Sequence, residues 1–418
     1  MLVKGQVPHQ EPIVSIGLVL PVDKQTSIEI RDSVTNKDYR IETNGENLYK
    51  NGEIVPHIKF APSTHHPIYS INPIRAGRGF HWEKQISIII EGNLEIKNQD
   101  GFLFVINHIP LEKYLACVAT SEMSSECPPA FLESQTIAAR SWLLAAAEQK
   151  HADLEIDACN DDCCQRYQGM ENLSNSAIHA IEKTRGHVLI HNENICDTRY
   201  SKSCGGISEN NENVWHDKPK PYLRAVLDEK DTNIPNLKSE SDLKKWMNEL
   251  PKSYCGPEFI PEKDLNNYLG NVDKSGNYFR WNVSFSQEDI TKLISEKTGK
   301  TFDSILSLQP LERGISGRII KIQIDGMENG KATHVILKSE YDIRRVLHPN
   351  FLFSSAFIIA ANSTPNSPPS RFTFKGAGWG HGVGLCQIGA LGMALKGRTT
   401  ANILAHYFQS TELRKIYS

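Results

Sequence analysis

From residue 13 to about 107, short apolar runs alternate with Gly, Asn and Asp, as at 13–20 (IVSIGLVL), 26–30, 86–90 and 102–106. Alternation with turn residues between the runs predicts strands, and so a β-rich unit. The period changes at Pro110, where Leu111, Tyr114, Leu115 and Val118 recur at helical spacing and predict a helix over 111–121. Pro128-Pro129 open a second helix, predicted over 130–149, because proline suits a first helical turn. Its sequence is dense in Ile, Leu, Trp and Ala, so it should be central and closely packed. A Cys-rich loop follows at 157–169, then a helix over 174–184 and a strand over 186–191.

After Val226 the chain turns polar to about residue 275, which reads as a surface insertion with a helix at 243–250. Order returns with a strand at 281–285, a helix at 287–297, strands at 318–325 and 334–338, and a last helix at 401–409. Strands and helices are segregated rather than alternating, so the fold class is α+β. The expected organisation is a flexible start (1–12), a β-rich region (13–107), a helical core (108–226), the insertion (227–279) and a mixed C-terminal part (280–418). The central helical region is expected to be catalytic, and the C-terminal mixed strands and helices to form a substrate groove.

Composition removes several functions. A net charge of −3 without any Lys/Arg block argues against a nucleic-acid partner. The apolar run 13–20 is too short to span a bilayer, and no other run is longer, so no transmembrane segment is expected. The first twelve residues show no secretory signal.

Five features could carry chemistry. Glu122 lies at the corner between the two helices, where apolar neighbours such as Met123 would raise its pKa toward that of a general acid; the plain alternative is a solvated surface glutamate. Arg140 interrupts the apolar second helix, and a buried guanidinium needs a carboxylate or a ligand anion. It could pair with an acid such as Glu122 or contact substrate; Gln135 lies five residues earlier. His151, Cys159, Cys163 and Cys164 form a metal candidate, with N and S ligands suited to zinc; the alternative is a redox pair or idle thiols.

The segment 376–392 (GAGWGHGVGLCQIGALG) has seven glycines in 17 residues, which permits close approach of backbone to a ligand, with Trp379, His381 and Gln387 projecting toward it. A glycine-rich turn is the simpler reading. His381 and Cys386, five apart on one loop, are poorly placed for a thiol-protease pair.

Four stretches in order resemble the SpoIID/LytB family of bacterial cell-wall proteins: 111–145 (LEKYLACVATSEMSSECPPAFLESQTIAARSWLLA), 200–226 with its YSKSCGGISENNENVW start, 313–357 with RGISGRIIKIQI, and 378–394 (GWGHGVGLCQIGALGMA). The resemblance implies a lytic transglycosylase that cleaves MurNAc–GlcNAc bonds of peptide-stripped glycan strands and leaves 1,6-anhydromuramoyl ends. It places the catalytic Glu on Glu122 and implies substrate contacts at Gln135, Arg140, Tyr200, Ser203, Trp215, Trp379, His381 and Gln387. The chemistry requires no cofactor; the family's zinc-binding members suggest a structural zinc on His151, Cys159, Cys163 and Cys164, with Cys163 standing where a His is usual. The implied partners are glycan strands and a cell-wall amidase, and the implied location is the cell envelope. Cys204 and Cys255 could pair across the insertion in an exported protein. The competing readings are a non-catalytic peptidoglycan-binding amidase enhancer and a metal-dependent hydrolase.

Overall fold

The computed structural model describes residues 1–60, 68–79, 83–230, 233–269, 276–362 and 367–418. The chain divides into two units: one comprises 1–197, 267–274 and 412–418, the other 198–266 and 275–411. This boundary falls inside the segment expected as one helical core. The α+β class holds, with several separate sheets and helices around them.

In the first unit, alternation sets the strand faces. Ser27–Asp32 buries Ile28 and Ile30 and leaves Glu29 and Arg31 exposed. It sits in a six-stranded antiparallel sheet, flanked by Lys37–Thr43 and Ile68–Ala76. A five-stranded sheet pairs Ile13–Val19 with Phe102–Pro110, and on its other edge Ile13–Val19 holds the two-residue strand Ala158–Cys159. The strand Phe102–Pro110 runs directly into the helix Leu111–Glu122, because Pro110 removes a ladder donor and fixes φ at −55°.

The second helix, Pro129–Ala145, is buried along nearly its whole length, as its composition predicts. It ends four residues earlier than expected because Ala146 turns left-handed (φ 45°). Residues 1–12 are anchored rather than flexible: the Glu112 N–H donates to Glu11 Oε1 over 2.9 Å, and Arg185 pairs with the same Glu11.

In the second unit, Ser304–Arg313, Ile319–Glu328 and Lys331–Leu337 make an antiparallel sheet; Arg280–Ser286, Arg371–Ala377 and Phe357–Ala361 make another. Trp281, Ile290, Phe302, Ile322, Phe357 and Phe374 belong to the core shared with the helix Gln287–Thr298. That helix starts at Ser286, whose hydroxyl accepts the Asp289 N–H.

The stretch expected as a surface insertion is packed instead. Leu237, Leu243 and Met247 lie in a core with Ile207, Ala356 and Ala377. Its helix, Glu240–Asn248, is polar on average yet presents an apolar stripe at i and i+4, and that stripe decides its placement. Among the described residues no helix is long and apolar enough to cross a membrane.

Candidate functional site

Glu122 is the last residue of the first helix rather than a residue beyond it. It is only 8% exposed, and Met123, which follows it in extended conformation, is fully buried. The backbone holds this corner: Met123 bridges to Leu269, and the Ser124 N–H donates to the Tyr268 carbonyl over 2.9 Å. The plain reading of a solvated surface glutamate does not hold. Glu122 Oε1 accepts the backbone N–H of Arg166 at 3.2 Å, while Ser121 Oγ accepts the Gln168 N–H at 3.1 Å. Both donors come from the Cys-rich loop.

Tyr167 and Gln165 hold that loop from beneath. The Tyr167 hydroxyl donates to Asn107 over 2.9 Å, and the Gln165 amide donates to the Ala139 carbonyl over 3.0 Å. Asp161 accepts the backbone N–H groups of Gly77 and Arg78. At the loop's outer end, the ligand atoms of His151, Cys159, Cys163 and Cys164 all lie within 4.8 Å of one another. Cys159 Sγ is 3.0 Å from Cys163 Sγ, and Cys163 Sγ is 3.8 Å from His151 Nε2. Hydrogen bonds from Cys159 and Cys164, together with His151, hold the Cys163 thiol far below its usual range. Cys159 moves the other way, because its thiol donates to Cys163 and is buried. One imidazole with three sulfurs is a donor set that zinc accepts.

Arg140 has a different partner from the one considered in the sequence. It is fully buried and forms a two-point pair with Glu112, Nε to Oε1 at 2.9 Å and Nη2 to Oε2, and its Nη1 donates to the His187 carbonyl. Glu112 also accepts from the Gly186 N–H and the Tyr417 hydroxyl. Arg140 is therefore a packing element in this structure, one that ties the first two helices to the strand His187–His191. Gln135 is also fully buried in the second helix.

The remaining expected residues lie in the second unit. Tyr200 is on a two-residue strand, Tyr200–Ser201, paired in parallel with Leu385–Cys386. Ser203 is buried and exchanges backbone hydrogen bonds with Trp379 in both directions. Trp379 stacks on Phe353 (centroids 4.4 Å apart) and leans on Tyr278 (4.8 Å). Trp215 meets His381 edge-on at 4.9 Å and carries the Arg199 guanidinium 4.5 Å over its ring. His381 Nδ1 accepts the Val383 N–H at 3.0 Å, which puts the proton of the neutral ring on Nε2. Gln387 is buried in the first turn of the helix Gln387–Leu395. Trp215, Trp379 and His381 are each partly exposed.

Sequence reading missed two framework residues here. Glu209, buried, accepts from Ser316 through backbone and hydroxyl, from the Ile315 N–H and from Asn213. Arg318 fills the space beside Gly382, where a Cβ would come within 2.3 Å of the guanidinium, so the loop needs glycine at that point. The signals were present, an acid and a base flanking the glycine-rich blocks, but no spacing links them.

Fold and site define an α+β protein with one nearly buried carboxylate at a helix end, a Cys/His cluster on the adjoining loop, and a glycine-rich aromatic segment. Residues 99–191 match the model of the SpoIID family, described as Stage II sporulation protein, and residues 209–384 match a domain of unknown function, DUF8618. The first match contains Glu122 and the Cys/His cluster. The chain is 26% identical to an uncharacterized protein of Brachyspira hyodysenteriae over 77% of its own length and 71% of the relative's. It is 26% identical to an amidase enhancer of Bacillus subtilis, covering 71% of this chain but only 39% of that protein. With Stage II sporulation protein D of Bacillus subtilis, identity is 23% over 74% of this chain and 75% of the relative. The chain is a relative of the SpoIID family, as its motif blocks imply.

Proposed function

We propose that this protein is a peptidoglycan lytic transglycosylase of the cell envelope, cutting MurNAc–GlcNAc bonds in peptide-stripped glycan strands with Glu122 as its only acid/base. The observation that carries this reading is Glu122 itself, withdrawn from solvent at a helix end and held by the Arg166 N–H; the resemblance implies that the catalytic Glu falls on it. The cell-wall role is supported by relatives that are a sporulation protein and an amidase enhancer.

The chemistry needs one carboxyl group. Protonated Glu122 gives its proton to the glycosidic oxygen as the C1–O bond breaks, and the GlcNAc hydroxyl departs. The resulting carboxylate then takes the proton from the muramoyl C6 hydroxyl as that oxygen closes on C1, which forms the 1,6-anhydro ring and restores the acid. The Arg166 N–H stabilises the carboxylate between the two steps. No water is consumed, so the paired carboxylates of hydrolytic glycosidases are unnecessary. Zinc on His151, Cys159, Cys163 and Cys164 would act as a structural clip for the loop that delivers Arg166. Trp379 and Trp215 would offer stacking faces to sugars.

Incubation with peptide-free glycan strands tests the proposal, with 1,6-anhydro ends as the expected product. The second reading, a non-catalytic amidase enhancer, is favoured by the Bacillus subtilis relative of that name. It predicts strand binding and stimulation of a cell-wall amidase without cutting.

A further inference from the structure

Three of the cysteines left over from the Cys/His cluster meet in the second unit. Cys204 follows the Tyr200–Ser201 strand, Cys255 comes from the packed insertion, and Cys386 caps the helix Gln387–Leu395. With Asp228 they form a group whose ligand atoms all lie within 4.8 Å of one another, and all four residues are buried. Cys204 and Cys255, which could pair in an exported protein, are both free cysteines here, with their sulfurs 3.8 Å apart. A disulfide requires about 2.05 Å. Two sulfurs on a tetrahedral zinc with bonds of about 2.3 Å stand ~3.8 Å apart.

Backbone and hydroxyl donors point at two of the ligand groups, the Cys386 sulfur and the Asp228 carboxylate. Cys386 Sγ accepts the backbone N–H groups of Cys204 (3.1 Å) and Gly389 (3.3 Å), the second from the start of a helix. Asp228 accepts from the Cys255 N–H (2.8 Å), the Ser253 hydroxyl (3.0 Å) and the Tyr407 hydroxyl. Such outer partners orient a metal ligand. No Lys, Arg or His forms an ion pair with Asp228 among the described residues, and a buried carboxylate without a cation is costly. Gly389 leaves the room: a Cβ there would stand 2.4 Å from Asp228 Oδ1. Arg280 and Arg318 donate to the Gly205 and Cys204 carbonyls, which sets two positive charges beside the group.

We propose that Cys204, Asp228, Cys255 and Cys386 bind a zinc ion, a second and purely structural metal centre that ties the insertion to the glycine-rich segment. Binding releases the thiol protons to solvent. The site is independent of Glu122 and of the cutting reaction.

Native mass spectrometry of the reduced full chain, loaded with zinc alone, tests it. A Cys159→Ser/Cys163→Ser protein, disabled at the other cluster, should keep one zinc, and Cys255→Ser/Cys386→Ser added to it should remove that zinc. Cobalt in place of zinc should give a thiolate charge-transfer band in the first of these proteins, which reads the ligation even where the fourfold variant fails to fold. Absence of zinc from the Cys159→Ser/Cys163→Ser protein, a zinc that survives the further substitutions, or a cobalt spectrum without that band overturns the proposal. So does a Cys204–Cys255 disulfide in the protein as isolated.

Discussion

The backbone N–H of Arg166 donates to Oε1 of Glu122 over 3.2 Å, and Arg166 stands two residues beyond Cys164 in the Cys/His cluster. A single loop thus links the Cys/His cluster to the proposed acid/base. The Arg166 guanidinium also pairs with Asp162 of the same loop, Nε to Oδ1 at 2.9 Å.

Disturbing the cluster should therefore reach Glu122. Cys163→Ser should lower zinc content and slow strand cutting by about 10–100-fold, the range expected when a reacting group is misplaced by about 1 Å. Cys163→His, which restores the residue usual in the family, should keep both the metal and the rate. Metal analysis and initial rates of the two variants provide the check; equal rates for Cys163→Ser and wild type would separate the cluster from the chemistry.

The Arg140–Glu112 pair predicts a loss of stability rather than of substrate affinity. Arg140→Met leaves Glu112 buried without its cation and should cost about 3–5 kcal/mol. The double change Glu112→Leu/Arg140→Met should recover part of that loss. Denaturant unfolding of the three proteins measures it, and KM for glycan strands should be unchanged in the folded Arg140→Met protein. A raised KM with unaltered stability would return Arg140 to the substrate site.

Burial lowers the His406 pKa from 6.5 to about 4, and its ring is packed edge-on against Tyr254 and Tyr407. The unfolded chain protonates this histidine near 6.5, the folded one only near 4, so between these values the unfolded state holds more protons. Its contribution is complete above pH 6.5 and is lost as pH falls toward 4, on the order of 2–3 kcal/mol after allowance for partial exposure. His406→Gln should remove that slope. Unfolding free energies of wild type and variant at pH 7 and pH 4.5 give the comparison, and parallel losses in both would contradict it.

Local pattern made much of this molecule legible. The period change at Pro110 located the first helix, and the Pro-Pro pair located the second. Glu122 stood out as a corner residue in the same way. Long-range pairing was not legible: Glu112 and Arg140 are 28 residues apart, and nothing in either helix identifies the other as its partner. The insertion misled because its mean polarity hides Leu237, Leu243 and Met247, three residues that suffice to bury one face. The His151, Cys159, Cys163 and Cys164 group suggested metal, yet Asp228 gave no sign that it would lie beside three thiols.

In the proposed reaction Glu122 cuts glycan strands without water. Mass spectrometry of peptide-stripped strands after incubation with wild type and with Glu122→Gln distinguishes the possible products. Wild type should yield fragments with 1,6-anhydro ends, and the folded, strand-binding Glu122→Gln protein should be slower by about 10²–10⁴-fold, the usual contribution of a general acid/base. Reducing ends would contradict the lyase reading, and equal cutting by both proteins would remove Glu122 from the chemistry.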